Sequence, residues 1–106
     1  MKASGSSSIL TRIVKMTFHV EQIETFRKIF MERKNKIRQS DGCVYLELYQ
    51  NAERPEIFIT YSKWLSEAHL EAYRTSSLFQ ETWALTKVLF SEKPEAWSLN
   101  SLISLA

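Results

Sequence analysis

The sequence predicts an α+β protein built on a ferredoxin-like, split βαβ antiparallel sheet. Three observations lead there. Segments of strand character and segments of helical period follow one another as strand, helix, strand, strand, helices, strand. The two middle strands are separated only by the turn-rich residues 51–55, NAERP, short enough for a hairpin. The strands are apolar on both faces, whereas the helices of such a sheet cover one face. A large open apolar face is an association site, so the expected unit is a homodimer in which two sheets face each other.

Residues 9–18, ILTRIVKMTF, are rich in β-branched and aromatic residues and read as the first strand. A regular pleat puts Leu10, Val14, Met16 and Phe18 on one face, interrupted by Arg12, with Ile9 and Ile13 on the other. Residues 21–39 read as a helix whose stripe is Ile23, Phe26, Phe30 and Ile37. Its acids lie early and its bases late, which complements the helix dipole. Ser40-Asp41-Gly42 ends it, and Gly42 is expected at positive φ. Residues 43–50, CVYLELYQ, alternate: Val44, Leu46 and Leu48 against Tyr45, Glu47 and Tyr49. Residues 56–65 form the most apolar strand, ending near Trp64. Ser66 is a good N-cap for a short helix over 67–74. Ser77 and Gln80 have capping-box spacing for a further helix to about Ser91, striped by Phe79, Trp83, Thr86 and Phe90. Pro94 ends helical structure, and residues 96–102 read as the last strand.

A chain of 106 residues suits one domain, here residues 9–106 behind a flexible polar tail over 1–8. A net charge of +2 carries no footprint for nucleic acid. No apolar run reaches the roughly 18 residues of a membrane span. With the single cysteine Cys43 there is no internal disulfide, which fits a cytoplasmic protein. A thiol just after a tight turn reads more simply as a buried small hydrophobe than as a nucleophile. The two histidines, His19 and His69, lie on different elements and form no metal-binding pattern, and glycine is too scarce for a phosphate loop. No metal or cofactor is therefore expected.

Two patterns could carry chemistry. His69 and Tyr73 are i,i+4 neighbours on the short helix and could share a proton with a phenolic substrate; a surface histidine packed on a tyrosine reads the same way. Tyr49, Trp64, Tyr73, Phe79, Trp83 and Trp97 form an aromatic set. Aromatics at such spacing are ordinarily core, but tryptophan and tyrosine also suit the walls of a pocket for a flat organic molecule.

Residues 60–79, TYSKWLSEAHLEAYRTSSLF, preceded by the DGC turn at 41–43, resemble the antibiotic biosynthesis monooxygenase domain family. The resemblance covers roughly residues 9–98, and Trp64, the Ser66 cap and the AHLEA segment are its most specific parts. It implies a dimeric α+β barrel and, among the activities in the family, cofactor-independent oxygenation of small aromatic or quinol-like molecules. It implies catalytic roles for Trp64, as pocket wall and N–H donor, and for His69 and Tyr73 as proton carriers. Tyr49, Thr60, Phe79, Trp83 and Trp97 are then expected to bind substrate, Thr60 standing where the family has an asparagine. Haem-degrading members place a histidine on the last helix; Trp83 stands there in this chain, with Tyr73 in place of an earlier tryptophan. An indole does not ligate iron, so haem degradation by that route is not expected. The competing expectation is a non-catalytic dimeric binding or structural module on the same fold.

Overall fold

The first strand, β1 (Leu10–Thr17), lies inside a four-stranded sheet. The structure, a computed structural model, describes residues 9–106, so the expected tail over 1–8 lies outside it. After β1 come a 3-10 turn (Val20–Gln22) and α1 (Ile23–Arg38). The antiparallel hairpin β2 (Cys43–Gln50) and β3 (Ile57–Trp64) follows. Then come α2 (Glu67–Arg74), α3 (Ser77–Lys87) and β4 (Glu95–Leu99). The sheet order is β2-β3-β1-β4 with every neighbour antiparallel, which is the α+β, ferredoxin-like arrangement.

The pleat sorts the strand residues as expected. Leu10, Met16, Phe18, Phe58 and Trp64 are buried under the helices, with Val14, Leu46 and Leu48 packed beside them. Phe26, Phe30 and Ile37 are the buried residues of α1 and carry its stripe into this core. Ile13, Ile59, Tyr61, Tyr45 and Tyr49 occupy the other face, which no helix covers.

Four local details differ from the sequence reading. The alternation of β2 is broken by a bulge between Cys43 and Tyr45. Val44 is the extra residue, so Cys43 joins Leu10, Trp64 and Leu70 in a small buried cluster while Leu46 still faces the helices. Helical structure before α1 starts as a 3-10 turn at Val20 rather than as α-helix at Glu21. The cap of α3 is Ser76, whose hydroxyl accepts the Phe79 N–H, one residue before the serine that the box spacing picks out. Finally, α3 ends at Lys87 because Phe90 leaves the helix to bridge Phe18, and β4 spans Glu95–Leu99 rather than 96–102.

Gly42 is fixed twice over. Its φ is +84°, and a Cβ added there would collide with the ring of His69. The Gly42 carbonyl also accepts the Leu65 N–H at 2.8 Å, tying the α1–β2 turn to the end of β3.

Candidate functional site

Between the sheet and the helices lies a cavity of about 290 Å³. That is near the small end of the roughly 300–1,000 Å³ usual for ligand sites, room for a small ring system. Its aromatic wall is continuous. Trp64 stacks on Tyr73 at 4.9 Å between ring centroids, Tyr73 meets Phe79 edge-on at 5.3 Å, and Phe79 stacks on Trp83 at 5.7 Å. These rings come from the end of β3, the end of α2 and one face of α3, which the Ser66 and Ser76 caps set in place. A second hollow of about 460 Å³ lies between α1 and the β2–β3 hairpin, lined by residues such as Arg27, Met31, Lys34 and Gln50. None of the sequence-predicted site residues lines it.

Of the eight residues singled out from the sequence, Thr60, Trp64, Tyr73, Phe79 and Trp83 line the first cavity. Tyr49 and Trp97 do not. They lie on the uncovered face of the sheet, 49% and 44% exposed. His69 does not line it either. It sits in the first turn of α2, where its backbone N–H donates to Ser66 Oγ and its Nδ1 lies 2.7 Å from the same hydroxyl. Nε2 points at Asp41, 3.9 Å away, which favours the tautomer with its proton on Nε2 and the Ser66 hydroxyl donating to Nδ1. The imidazole thus braces the helix cap against the Asp41–Gly42 turn.

Trp64 is 1% exposed, and its indole N–H donates to Ser62 Oγ at 3.0 Å. The N–H is therefore engaged within the protein. Burial pushes the Tyr73 phenol up to about 12, with the Cys43 thiol adding to the shift. At neutral pH Tyr73 keeps its proton and can donate a hydrogen bond, but it cannot serve as a base. Burial also raises the Cys43 thiol, against weaker opposing effects from its contact with the Tyr45 carbonyl and from Arg38. That is the setting of an inert thiol.

The cavity also has a polar floor that the sequence reading did not single out. Arg12 and Ser62 are register partners across β1 and β3, and Arg12 and Ser98 are partners across β1 and β4. Arg12 donates to Ser98 Oγ at 3.0 Å. Arg74 lines the cavity from the end of α2, and Glu95 from the start of β4. The only hint in the sequence was Arg12 breaking an otherwise apolar strand face; its neighbours follow from the strand register. Among the described residues, no group of three or more His, Cys, Asp or Glu side chains is arranged to hold a metal ion, and no helix is long and apolar enough to cross a membrane.

The profile of the family described as antibiotic biosynthesis monooxygenase matches residues 9–85, most of the chain. The chain belongs to this family. No functionally curated protein matches it. Solved structures of similar fold include a conserved protein from Methanosarcina mazei Go1, with TM-score 0.85 and 21% identity, covering 92% of this chain and 96% of that one. Rv0793 from Mycobacterium tuberculosis gives TM-score 0.85 and 18% identity, covering 93% and 100%. PA3566 from Pseudomonas aeruginosa gives 0.82 and 20%, covering 92% and 98%. At these identities the likeness establishes the shared fold, and the antibiotic biosynthesis monooxygenase domain of this chain has the same size as theirs.

Proposed function

We propose that this domain is a cofactor-independent monooxygenase of a small aromatic or quinol-like substrate, working as a homodimer. The observation that carries the reading is the aromatic-walled cavity floored by a short polar row. In such chemistry a deprotonated electron-rich ring supplies the electrons to oxygen. The protein's part is to hold the ring, keep bulk water away and stabilise the anion. Trp64, Phe79 and Trp83 would hold the ring, and the protonated Tyr73 would donate a hydrogen bond. Dimerisation through the uncovered sheet face is supported by Ile13, Ile59, Tyr61 and Trp97, which form an apolar surface there.

One observation favours the rival, a binding module without turnover. With His69 outside the cavity and Tyr73 held protonated, Glu95 is the one carboxylate lining the cavity among the described residues, and Lys15 lies 3.9 Å from it. The two readings separate on 1-naphthol. Monooxygenation consumes one O₂ per naphthol and yields 1,4-naphthoquinone and water, with one oxygen atom from O₂ in the quinone. Protein-dependent oxygen uptake with label from ¹⁸O₂ in the quinone is expected. Tight binding of 1-naphthol without uptake would leave the binding module.

A further inference from the structure

The polar row on the cavity floor contains an unpaired charge and an unused donor. The charged residues lining the cavity are Arg12, Arg74 and Glu95. Arg74 is paired with Glu71 at 3.3 Å, and Glu95 with Lys15 at 3.9 Å. Arg12 has no carboxylate within ion-pairing distance among the described residues; its hydrogen bond goes to the neutral Ser98. Among these lining residues, two cations against one carboxylate leave a surplus of one positive charge at the cavity. Ser62, beside Arg12 in the register, is 7% exposed and accepts from Trp64. Its own hydroxyl proton meets no acceptor among the described residues, an unusual state for a buried donor.

We infer that Arg12, with Ser62 beside it and Arg74 on the same wall, is the seat for the single negative charge of a planar aromatic ligand, a carboxylate or a phenolate oxygen. The inference rests on the reading of the cavity as a ligand site. A guanidinium matches the geometry of an anionic oxygen group and is easier to desolvate than an ammonium. Burial, followed by the charge of Arg74 and opposed by Glu71, lowers the affinity of Arg12 for its proton, so the site holds a positive charge that an incoming anion would relieve. Ser62 would give its unused proton to the same oxygen, with the Trp64 N–H behind it strengthening that donation. The apolar rings above then select a flat hydrocarbon body. For a phenol, the seat would stabilise the phenolate and so lower its pKa, the proton passing to solvent as the ligand binds.

Calorimetric titration at pH 7 with 2-naphthoate and its neutral analogue 2-naphthamide tests the seat. The wild type is expected to bind naphthoate at least tenfold more tightly, and the preference should shrink as salt is raised. Arg12→Gln should abolish the preference by weakening naphthoate binding far more than naphthamide binding. Arg74→Gln should reduce the preference and serves as a second variant on the exposed end of α2, should Arg12→Gln fold poorly. The phenolate arm uses the absorption of bound 1-naphthol. A naphtholate band at pH 7 in the wild type, lost in Arg12→Gln, assigns the seat to a phenolate; naphthoate preference without that band assigns it to a carboxylate. Naphthamide binding with neither anion preference nor a naphtholate band refutes the seat and leaves the cavity standing. A preference that survives Arg12→Gln also refutes it. Failure of every aromatic probe to bind removes the cavity reading and the seat together.

Discussion

Trp64→Phe separates what the indole does for the fold from what it does for a ligand. The change keeps the ring stacked near Tyr73 and removes the N–H that Ser62 accepts at 3.0 Å. Losing that buried hydrogen bond should cost about 0.5–1.5 kcal/mol. Trimming indole to phenyl removes roughly 35 Å³ of packed ring, and at about 24 cal/mol per Å³ of cavity that adds about 0.8 kcal/mol. Trp64 is 1% exposed in the cluster of Leu10, Cys43 and Leu70, so neighbouring groups have little room to close the gap. The total, about 1.3–2.3 kcal/mol, is a sizeable part of the ~5–15 kcal/mol that holds a domain folded. At about 4–8 °C per kcal/mol for a domain of this size, the melting temperature should fall by about 5–18 °C. Circular dichroism melting and calorimetric titration with 2-naphthamide, run on one preparation, give both quantities. Affinity for the neutral probe should change less than threefold, because the lost N–H never reached the ligand. An unchanged melting temperature beside a tenfold loss of affinity would refute the assignment of the N–H to Ser62.

Other expectations follow from the same structure. Tyr73 has its pKa raised to about 12 from an ordinary value near 10, so folding favours its protonated form. The stability linked to it is fully present below pH 10 and is lost between pH 10 and 12, and Tyr73→Phe should flatten that part of the alkaline stability curve while removing a late step from the tyrosine titration followed by absorbance. Gly42→Ala should destabilise by about 1–3 kcal/mol through the positive φ alone, with more from the collision with His69; His69→Ala should recover part of that loss in urea melts of the double variant, and strict additivity would show that the ring does not press on Gly42. Light scattering should give twice the chain mass, and Ile59→Glu, which puts a charge on the uncovered sheet face, should give the monomer; a wild-type monomer at micromolar concentration would remove the dimer. Haemin with a reductant should show no protein-dependent bleaching, since neither His19 nor His69 lines the cavity.

Much of the fold was legible because its signals are periodic. The stripe Ile23, Phe26, Phe30, Ile37 and the alternation in β1 each follow from one side chain pointing inward per turn or per pleat. Gly42 was legible because turn chemistry is local. In the run Thr75-Ser76-Ser77 the box spacing to Gln80 points to Ser77, and only the path of the chain after Tyr73 selects Ser76. The site was legible in part. Trp64, Tyr73, Phe79 and Trp83 could be picked by residue type and helical spacing. Tyr49 and Trp97 could not be sorted from them, because which face of the sheet the helices cover is settled by packing rather than by composition. His69 and Tyr73 share a helix face, yet α2 places its first turn on the Asp41–Gly42 corner and its last turn over Trp64. Arg12 and Ser62 are 50 positions apart and meet only through the β1–β3 register.

The placement of the three tryptophans makes the protein its own set of optical probes. Trp64 is sealed from water, Trp83 lies in the cavity wall, and Trp97 stands half-exposed on the far side of the sheet. Their emission should therefore divide by polarity, with Trp64 blue-shifted and Trp97 red-shifted and open to iodide quenching. An aromatic ligand should quench Trp83, and association through the sheet should shield Trp97 from iodide. Single-tryptophan variants would then follow folding, ligand entry and assembly separately, with no label added.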